Sequence, residues 1–146
     1  MKSTLYSKLL VFLQFVLIGL MLLASHGFFS SIYTLPVFIM GLSIGLWALK
    51  HNRIGNFNIQ PKLKDGSKLI TTGIYRYIRH PMYTSVIVMM FAILISTPIM
   101  IELLLFLSLI VVLVLKALKE ESLWVNNNKA YIQYKKNTKL FIPYIL

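Results

Sequence analysis

Two short groups of charged and aromatic residues interrupt a chain that is otherwise strongly apolar. The first is the run Arg79-His80-Pro81-Met82-Tyr83, and the second is the pair Glu120-Glu121. Proline needs no backbone hydrogen-bond partner at the first position of a helix, so Pro81 predicts a helix that begins there. Arg79 and His80 then lie at the positive, N–H-rich end of that helix, where an anion binds readily.

The pair Glu120-Glu121 indicates what else such a site could bind. Acidic residues late in a helix oppose its dipole, and these are two of only four acidic residues in the chain. Packed helices lie about 8–10 Å apart, so the pair would face the positive helix end across a small gap. A zwitterion suits this arrangement, with its carboxylate toward the helix N-terminus and its ammonium toward the glutamates. The amino-acid end of S-adenosylmethionine is such a group.

Four apolar segments must position these residues. They are Leu9–Ala24, Ile32–Leu49, Tyr83–Thr97 and Ile99–Leu115, in a chain of 146 residues that is 58% hydrophobic. Each has about the length that crosses or nearly crosses a hydrocarbon core, and backbone groups in lipid must be satisfied within a helix. We therefore predict an all-α integral membrane protein, a single domain over residues 1–146, with about four transmembrane helices. The third and fourth should form an antiparallel hairpin.

The basic residues predict the orientation of these helices. All 15 Lys and Arg residues lie at Lys2 and Lys8, between Lys50 and Arg79, or from Lys116 to Lys139, whereas the connections Ser25–Ser31 and Thr97–Pro98 carry none. The positive-inside rule then makes both termini and the Lys50–His80 segment cytoplasmic, and we expect a bacterial inner membrane. The net charge of +11 flanks apolar segments, which favours attraction to anionic headgroups over binding of nucleic acid.

The sequence also predicts where four residues of the apolar segments lie. Gly41 and Gly45 form a small-xxx-small face that favours close helix packing inside the monomer. Ser85 is expected at a lipid-facing gap through which an acceptor could enter. Glu102 is expected to reach the outer headgroup region.

Several other residues have plainer interpretations. Lys116 and Lys119 offer local ion pairs to the two glutamates. Tyr131 and Tyr134 are interpreted as packing or interface aromatics. The chain has no cysteine, and its histidines have no partners at metal-ligand spacing, so no metal site is predicted.

A longer pattern around the two groups resembles a known family. It consists of Gly73-Ile74-Tyr75-Arg76-Tyr77-Ile78-Arg79-His80-Pro81-Met82-Tyr83, then Glu120-Glu121-Ser122-Leu123 one hairpin later, then Tyr131, Tyr134 and Leu140-Phe141-Ile142-Pro143. This pattern is similar to that of the integral-membrane methyltransferases of the isoprenylcysteine carboxyl methyltransferase and phospholipid methyltransferase superfamily. The resemblance covers roughly the C-terminal half of the chain. The first two helices share only their apolar character with the family.

The resemblance implies an S-adenosylmethionine pocket between helix three, helix four and a C-terminal cytoplasmic segment. His80 and Tyr83 would contact the methionine part, and the two glutamates would contact the amino group or the ribose hydroxyls. The full set of residues implied to bind the cofactor is Gly73, Tyr75, His80, Pro81, Tyr83, Glu120 and Glu121. The residues expected to be catalytic are Arg79, His80 and Glu120. Among these, Arg79 would orient a substrate carboxylate or phosphate, and His80 or a glutamate would act as base toward an amine.

The function implied is methyl transfer from S-adenosylmethionine to a lipophilic small molecule or lipid, with a carboxylate, thiol or amine as acceptor. Two features depart from the family: Ile74 stands where many members have proline, and the eukaryotic prenylcysteine enzymes have more membrane helices. One alternative is a sterol-type reductase using NADPH, which has a related Arg-His-Pro-x-Tyr run but a Gly-Glu soon after it, where this chain has Thr84-Ser85. Another is a non-enzymatic membrane assembly protein. The oligomeric state is left open.

Overall fold

The computed structural model of the protein describes residues 2–26, 32–52, 56, 66 and 68–143. Its elements, in chain order, are α1 (Lys2–Ala24), α2 (Thr34–His51), a short 3₁₀ helix (Gly73–Arg76), α3 (Pro81–Ser96), α4 (Met100–Asn127) and α5 (Lys129–Asn137). Within these ranges there is no β-strand. Parts of the predicted connection Ser25–Ser31 and of the Lys50–His80 segment lie outside the described residues.

Four apolar helices form the membrane-embedded part of the molecule. α1, α2 and α4 are long and apolar enough to cross a membrane, over Leu5–Ala24, Thr34–His51 and Met100–Asn127. α3 is apolar but has 16 residues. At 1.5 Å per residue it spans only about 24 Å, against roughly 30 Å for a hydrocarbon core. The predicted all-α membrane architecture is confirmed.

The four helices alternate in direction and pack as two antiparallel pairs. α2 packs along α3, and α1 packs along α4. A smaller contact between α3 and α4 joins the pairs, so the predicted hairpin is present although the main partner of α3 is α2. This order brings the start of α1, the end of α2, the start of α3 and the end of α4 together. We call this the basic end of the bundle, because Lys8, Lys50 and Arg79 lie there.

Small residues allow α2 and α3 to approach closely. A Cβ atom at Gly41 would lie 2.7 Å from Met89 Cγ and 2.8 Å from the Met89 backbone nitrogen, and one at Gly45 would lie 2.6 Å from Ser85 Oγ. The prediction that these glycines pack inside the monomer is confirmed. The expectation that Ser85 faces lipid is wrong. Ser85 is buried against Gly45, and its hydroxyl donates a 2.7 Å hydrogen bond to the Gly41 carbonyl.

One face of α4 is buried along most of the helix. Its buried residues recur at the three- and four-residue spacing of a single helix face, and they include Glu102, Phe106, Leu109, Leu113, Lys116 and Ala117. Glu102 therefore points into the protein, and the expectation that it reaches the outer headgroups is wrong. Its carboxylate oxygens are buried and have no hydrogen-bond partner within the described residues.

A second apolar cluster packs the connection between α2 and α3 against the basic end of the bundle. Ile74 and Tyr75 are buried against Ala48 of α2. Gly73 has a positive φ of 61°, a conformation that favours glycine, and a Cβ there would lie 2.4 Å from the His51 ring. The chain thus passes close against the end of α2 before it enters α3.

Gly41→Ala should destabilise the protein, whereas Gly19→Ala should not. The new methyl group at residue 41 would collide with the Met89 backbone, and overpacking of this kind costs about 1–3 kcal/mol. A Cβ at Gly19 meets nothing within 4 Å, so alanine there should leave stability unchanged or slightly raised. Thermal unfolding of both variants in one detergent measures the difference. Equal shifts would contradict the close α2–α3 contact.

Candidate functional site

The start of α3 is shaped by His80 and Pro81. Pro81 occupies the first helical position and His80 precedes it as the N-cap residue, as the sequence predicts. The His80 carbonyl accepts hydrogen bonds from the backbone N–H groups of Tyr83 and Thr84, at 3.0 and 3.1 Å. This first turn places Arg79, His80 and Tyr83 at the basic end of the bundle.

The residues after α5 form a segment, 138–143, that lies along the chain entering α3. The Arg79 N–H donates to the Lys139 carbonyl at 2.8 Å, and the His80 N–H donates to the Leu140 carbonyl at 3.1 Å. The Phe141 ring meets the His80 ring edge-on, with 6.2 Å between their centroids. The segment predicted to complete the pocket therefore packs directly against the start of α3, and we call it the C-terminal segment.

A buried ion pair joins the start of α3 to the end of α4. Arg79 Nε donates to Glu121 Oε1 at 2.5 Å, and the two side chains are only 9% and 3% exposed. Lys135 of α5 binds the other carboxylate oxygen, Oε2, at 2.7 Å. Arg79 Nη1 also donates to the backbone carbonyls of Lys135 and Thr138. We call Arg79, Glu121 and Lys135 the ion-pair clamp, since they hold α3, α4, α5 and the C-terminal segment together.

The clamp uses polar atoms that the sequence analysis assigned to ligands. Both Glu121 oxygens have cationic partners, and Arg79 directs Nε and Nη1 toward the protein itself. The alternative of a local ion pair between Lys116 and the glutamates is wrong, because the Lys116 ammonium donates to Gln14 of α1. The partners of Glu121 come from α5 and from the entry to α3.

Glu120 is the more accessible of the two glutamates. Its side chain is 21% exposed, against 3% for Glu121. The Tyr83 hydroxyl donates to Glu120 Oε1 at 2.5 Å, and Glu120 Oε2 lies 3.5 Å from His80 Nδ1. Oε1 is therefore held by Tyr83 and Oε2 faces His80, while part of the side chain stays exposed.

His80 lies between the two glutamates and is buried. Its ring stacks on Tyr83, with 5.5 Å between centroids and 5° between planes. Nε2 lies 3.5 Å from Glu121 Oε1 but forms no hydrogen bond within the described residues. Burial alone lowers the pKa of His80, but the carboxylates of Glu120 and Glu121 stabilise the imidazolium, and the net pKa lies above its usual value of 6.5.

Gly73 and Tyr75 lie beside this cluster and position the connection to α3. The Tyr75 hydroxyl accepts a hydrogen bond from Asn52 Nδ2 at 3.3 Å, and its carbonyl accepts one from the Tyr134 hydroxyl at 2.7 Å. Burial raises the pKa of Tyr75, so its phenol stays neutral. Gly73 contacts His51, as described above. Both residues thus tie the connection to neighbouring helices.

The two tyrosines of α5 serve packing, as predicted. Tyr131 is buried and stacks on Trp124 of α4, with 5.8 Å between ring centroids. Tyr134 reaches the Tyr75 carbonyl. The interpretation of both residues as packing aromatics is confirmed.

Two contributors to this region, Gln14 and Lys135, were assigned no role from the sequence, and Lys116 was expected only to pair with the glutamates. Lys135 follows Tyr131 by one helical turn, so its place on the inner face of α5 could have been inferred from spacing. Lys116 likewise precedes Glu120 by one turn on α4. Gln14 gives no such signal, because it lies on another helix far away in sequence.

Comparison with known families identifies the class of protein that carries this site. A model of the phospholipid methyltransferase family matches residues 15–129. The chain belongs to the phospholipid methyltransferase family. The superfamily resemblance seen in the sequence is thereby confirmed, and no curated protein matches the chain. The match to the phospholipid methyltransferase family includes α2, α3 and α4, whereas nearly all of α5 and the whole C-terminal segment lie beyond it.

Glu121→Gln should destabilise this phospholipid methyltransferase family member far more than Glu120→Gln. Removing the Glu121 charge leaves Arg79 buried without its counter-ion, which costs about 3–5 kcal/mol. Glu120 is partly exposed, so the loss of its charge should cost only about 1 kcal/mol. Denaturant titration of both variants in one detergent measures the two costs. Similar values would mean that the clamp does not support the fold.

Proposed function

We propose that the protein transfers a methyl group from S-adenosylmethionine to a lipophilic acceptor that enters from the bilayer. The observation that carries this proposal is the partly exposed Glu120 carboxylate, oriented by Tyr83 and lying beside the buried His80. Membership of the phospholipid methyltransferase family supports the reaction class. The apolar helices around the site support an acceptor that partitions into lipid.

The polar atoms at the basic end suit the amino-acid part of S-adenosylmethionine. Glu120 Oε2 would accept a hydrogen bond from the ammonium group or a ribose hydroxyl, since Oε1 already binds Tyr83. His80 Nε2 is buried, and in the described part of the chain its nearest acceptor is Glu121 Oε1 at 3.5 Å, with no hydrogen bond formed, so a ligand group that reaches it would complete its hydrogen bonding. As a donor, it would bind the ligand carboxylate. When bound, the cofactor supplies a methyl group on a positively charged sulfur.

The remaining residues expected to bind the cofactor are assigned roles in shaping the pocket. Pro81 sets where α3 begins and therefore where His80 and Tyr83 lie. Gly73 and Tyr75 hold the preceding connection against α2 and α5. Pro81, Gly73 and Tyr75 would contribute to cofactor binding indirectly, by setting the backbone conformation that positions the other residues.

We assign Arg79 and Glu121 to support of the pocket. Each was expected to contact substrate or cofactor, but the two side chains bind each other, Lys135 and backbone carbonyls. A ligand group would have to break a buried ion pair to reach either residue. Glu120 is therefore the better candidate for direct contact with the ligand.

Proton transfer is needed only for some acceptors. In-line methyl transfer depends mainly on orientation and exclusion of water, and the stacked rings of His80 and Tyr83, with Phe141 beside them, shield the polar atoms. An amine acceptor would also have to lose a proton. Because the pKa of His80 is raised, Glu120 is the better-placed group to accept it.

Glu120→Gln should weaken binding of S-adenosylhomocysteine about ten- to a hundredfold, because one charge-assisted hydrogen bond is worth roughly 1.5–3 kcal/mol. Isothermal titration of the purified protein measures the affinity. Glu102→Gln is the matched control, since it removes a buried carboxylate at the opposite end of the bundle and should leave binding unchanged. Binding of NADPH in place of S-adenosylhomocysteine would instead favour the reductase alternative.

The positive-inside rule makes the basic end, and with it the site, cytoplasmic. Because the natural chain has no cysteine, Met100→Cys and Ala130→Cys each introduce a single thiol at an exposed position, one at either end of the bundle. An impermeant thiol reagent should label Met100→Cys in intact cells and Ala130→Cys only after permeabilisation. The reverse pattern would overturn the orientation.

A further inference from the structure

Lys116 is a buried cation that the proposed reaction does not use. It lies on α4 one turn before Glu120, and only 1% of its surface is exposed. Its Nζ donates to Gln14 Oε1 of α1 at 2.5 Å and lies 5.0 Å from the centroid of the Tyr83 ring. In the part of the chain that the structure describes, no carboxylate lies within ion-pair distance of it, although Glu120, one turn further along α4, is near enough for the two charges to attract.

The buried Lys116 charge is not explained by a contribution to stability. Burying an ammonium group against a neutral amide has a desolvation cost that a single hydrogen bond does not offset. A methionine would fill similar space at the α1–α4 contact without that cost. The charge therefore needs another explanation, and the aromatic ring that it contacts belongs to the site.

We propose that Lys116, anchored by Gln14, is a positioning residue that holds Tyr83 so that its hydroxyl stays on Glu120. A cation is attracted to the face of an aromatic ring, and the Tyr83 ring is also stacked on His80. With the ring held, Tyr83 occupies Glu120 Oε1, and Oε2, which faces His80 Nδ1 at 3.5 Å, keeps a second lone pair for the ligand. This inference rests on the proposed function, in which Glu120 contacts the ligand.

The inference also gives α1 a part in the site. α1 has the composition of a plain membrane anchor, yet Gln14 is buried and supplies the hydrogen bond that fixes the Lys116 ammonium. The order of contacts runs from α1 through Gln14 to Lys116, then through Tyr83 to Glu120. Substitution of Gln14 on α1 should therefore change the affinity for the ligand.

The test is a double-mutant cycle between residues 116 and 83, read by S-adenosylhomocysteine affinity and by thermal unfolding without ligand. Lys116→Met should weaken binding roughly 3- to 30-fold. Stability is compared in the Gln14→Leu/Lys116→Met variant, whose unfolding temperature should stay the same or rise, because Lys116→Met alone leaves the buried Gln14 amide without its partner. Lys116→Arg, which keeps the charge, should retain most of the affinity. In a protein that already carries Tyr83→Phe, Lys116→Met should have little further effect, because no hydroxyl remains to be positioned.

A second variant distinguishes a loss of affinity from a loss of stability. Gln14→Leu combined with Lys116→Met removes both polar groups, leaves no amide unpaired, and should show the same loss of affinity as Lys116→Met. Additive effects of the 116 and 83 substitutions, or an affinity loss that follows a lower unfolding temperature, would overturn the inference and leave the proposed function intact. If the wild-type protein binds no S-adenosylhomocysteine, the proposed function fails and this inference fails with it.

Discussion

The arrangement of the site depends on the buried ion pair between Arg79 and Glu121, which joins two points 42 residues apart in sequence. Desolvating both charges is costly unless each finds several good partners, and here Lys135 and two backbone carbonyls complete the set. The pair sets the spacing between the start of α3 and the end of α4. Consecutive helical residues point about 100° apart, so fixing Glu121 inward turns Glu120 toward Tyr83 and His80.

This polar end is supported by the more apolar half of the bundle. The close approach of α2 to α3 at Gly41 determines where α3 lies, and the long buried face of α4 determines where its glutamates emerge. Close-packed interiors transmit displacements, so changes in the core should alter the site. That core is formed by Met21, Met90, Ile93, Phe106, Leu109 and Leu113.

The sequence was sufficient to predict the helices, because hydrophobic length is a local feature, and the run through Tyr83 correctly marked the start of α3. It failed where the answer depends on how a helix is rotated or which helix is its neighbour. Ser85 and Glu102 were placed on the wrong faces for this reason, and Gln14 gave no signal. The apolar segment that ends at Leu115 is only part of α4, which continues to Asn127 and carries Glu120 and Glu121 in its later turns, as the sequence predicts.

A crystal structure of the protein with S-adenosylhomocysteine tests the central claim most directly, namely that one glutamate supports the pocket and its neighbour contacts the ligand. We expect the ligand amino group or a ribose hydroxyl within hydrogen-bond distance of Glu120 Oε2, with Arg79 still bound to Glu121. A ligand amino group bound to Glu121, with Arg79 turned away from it, would show that the two glutamates do not divide these roles.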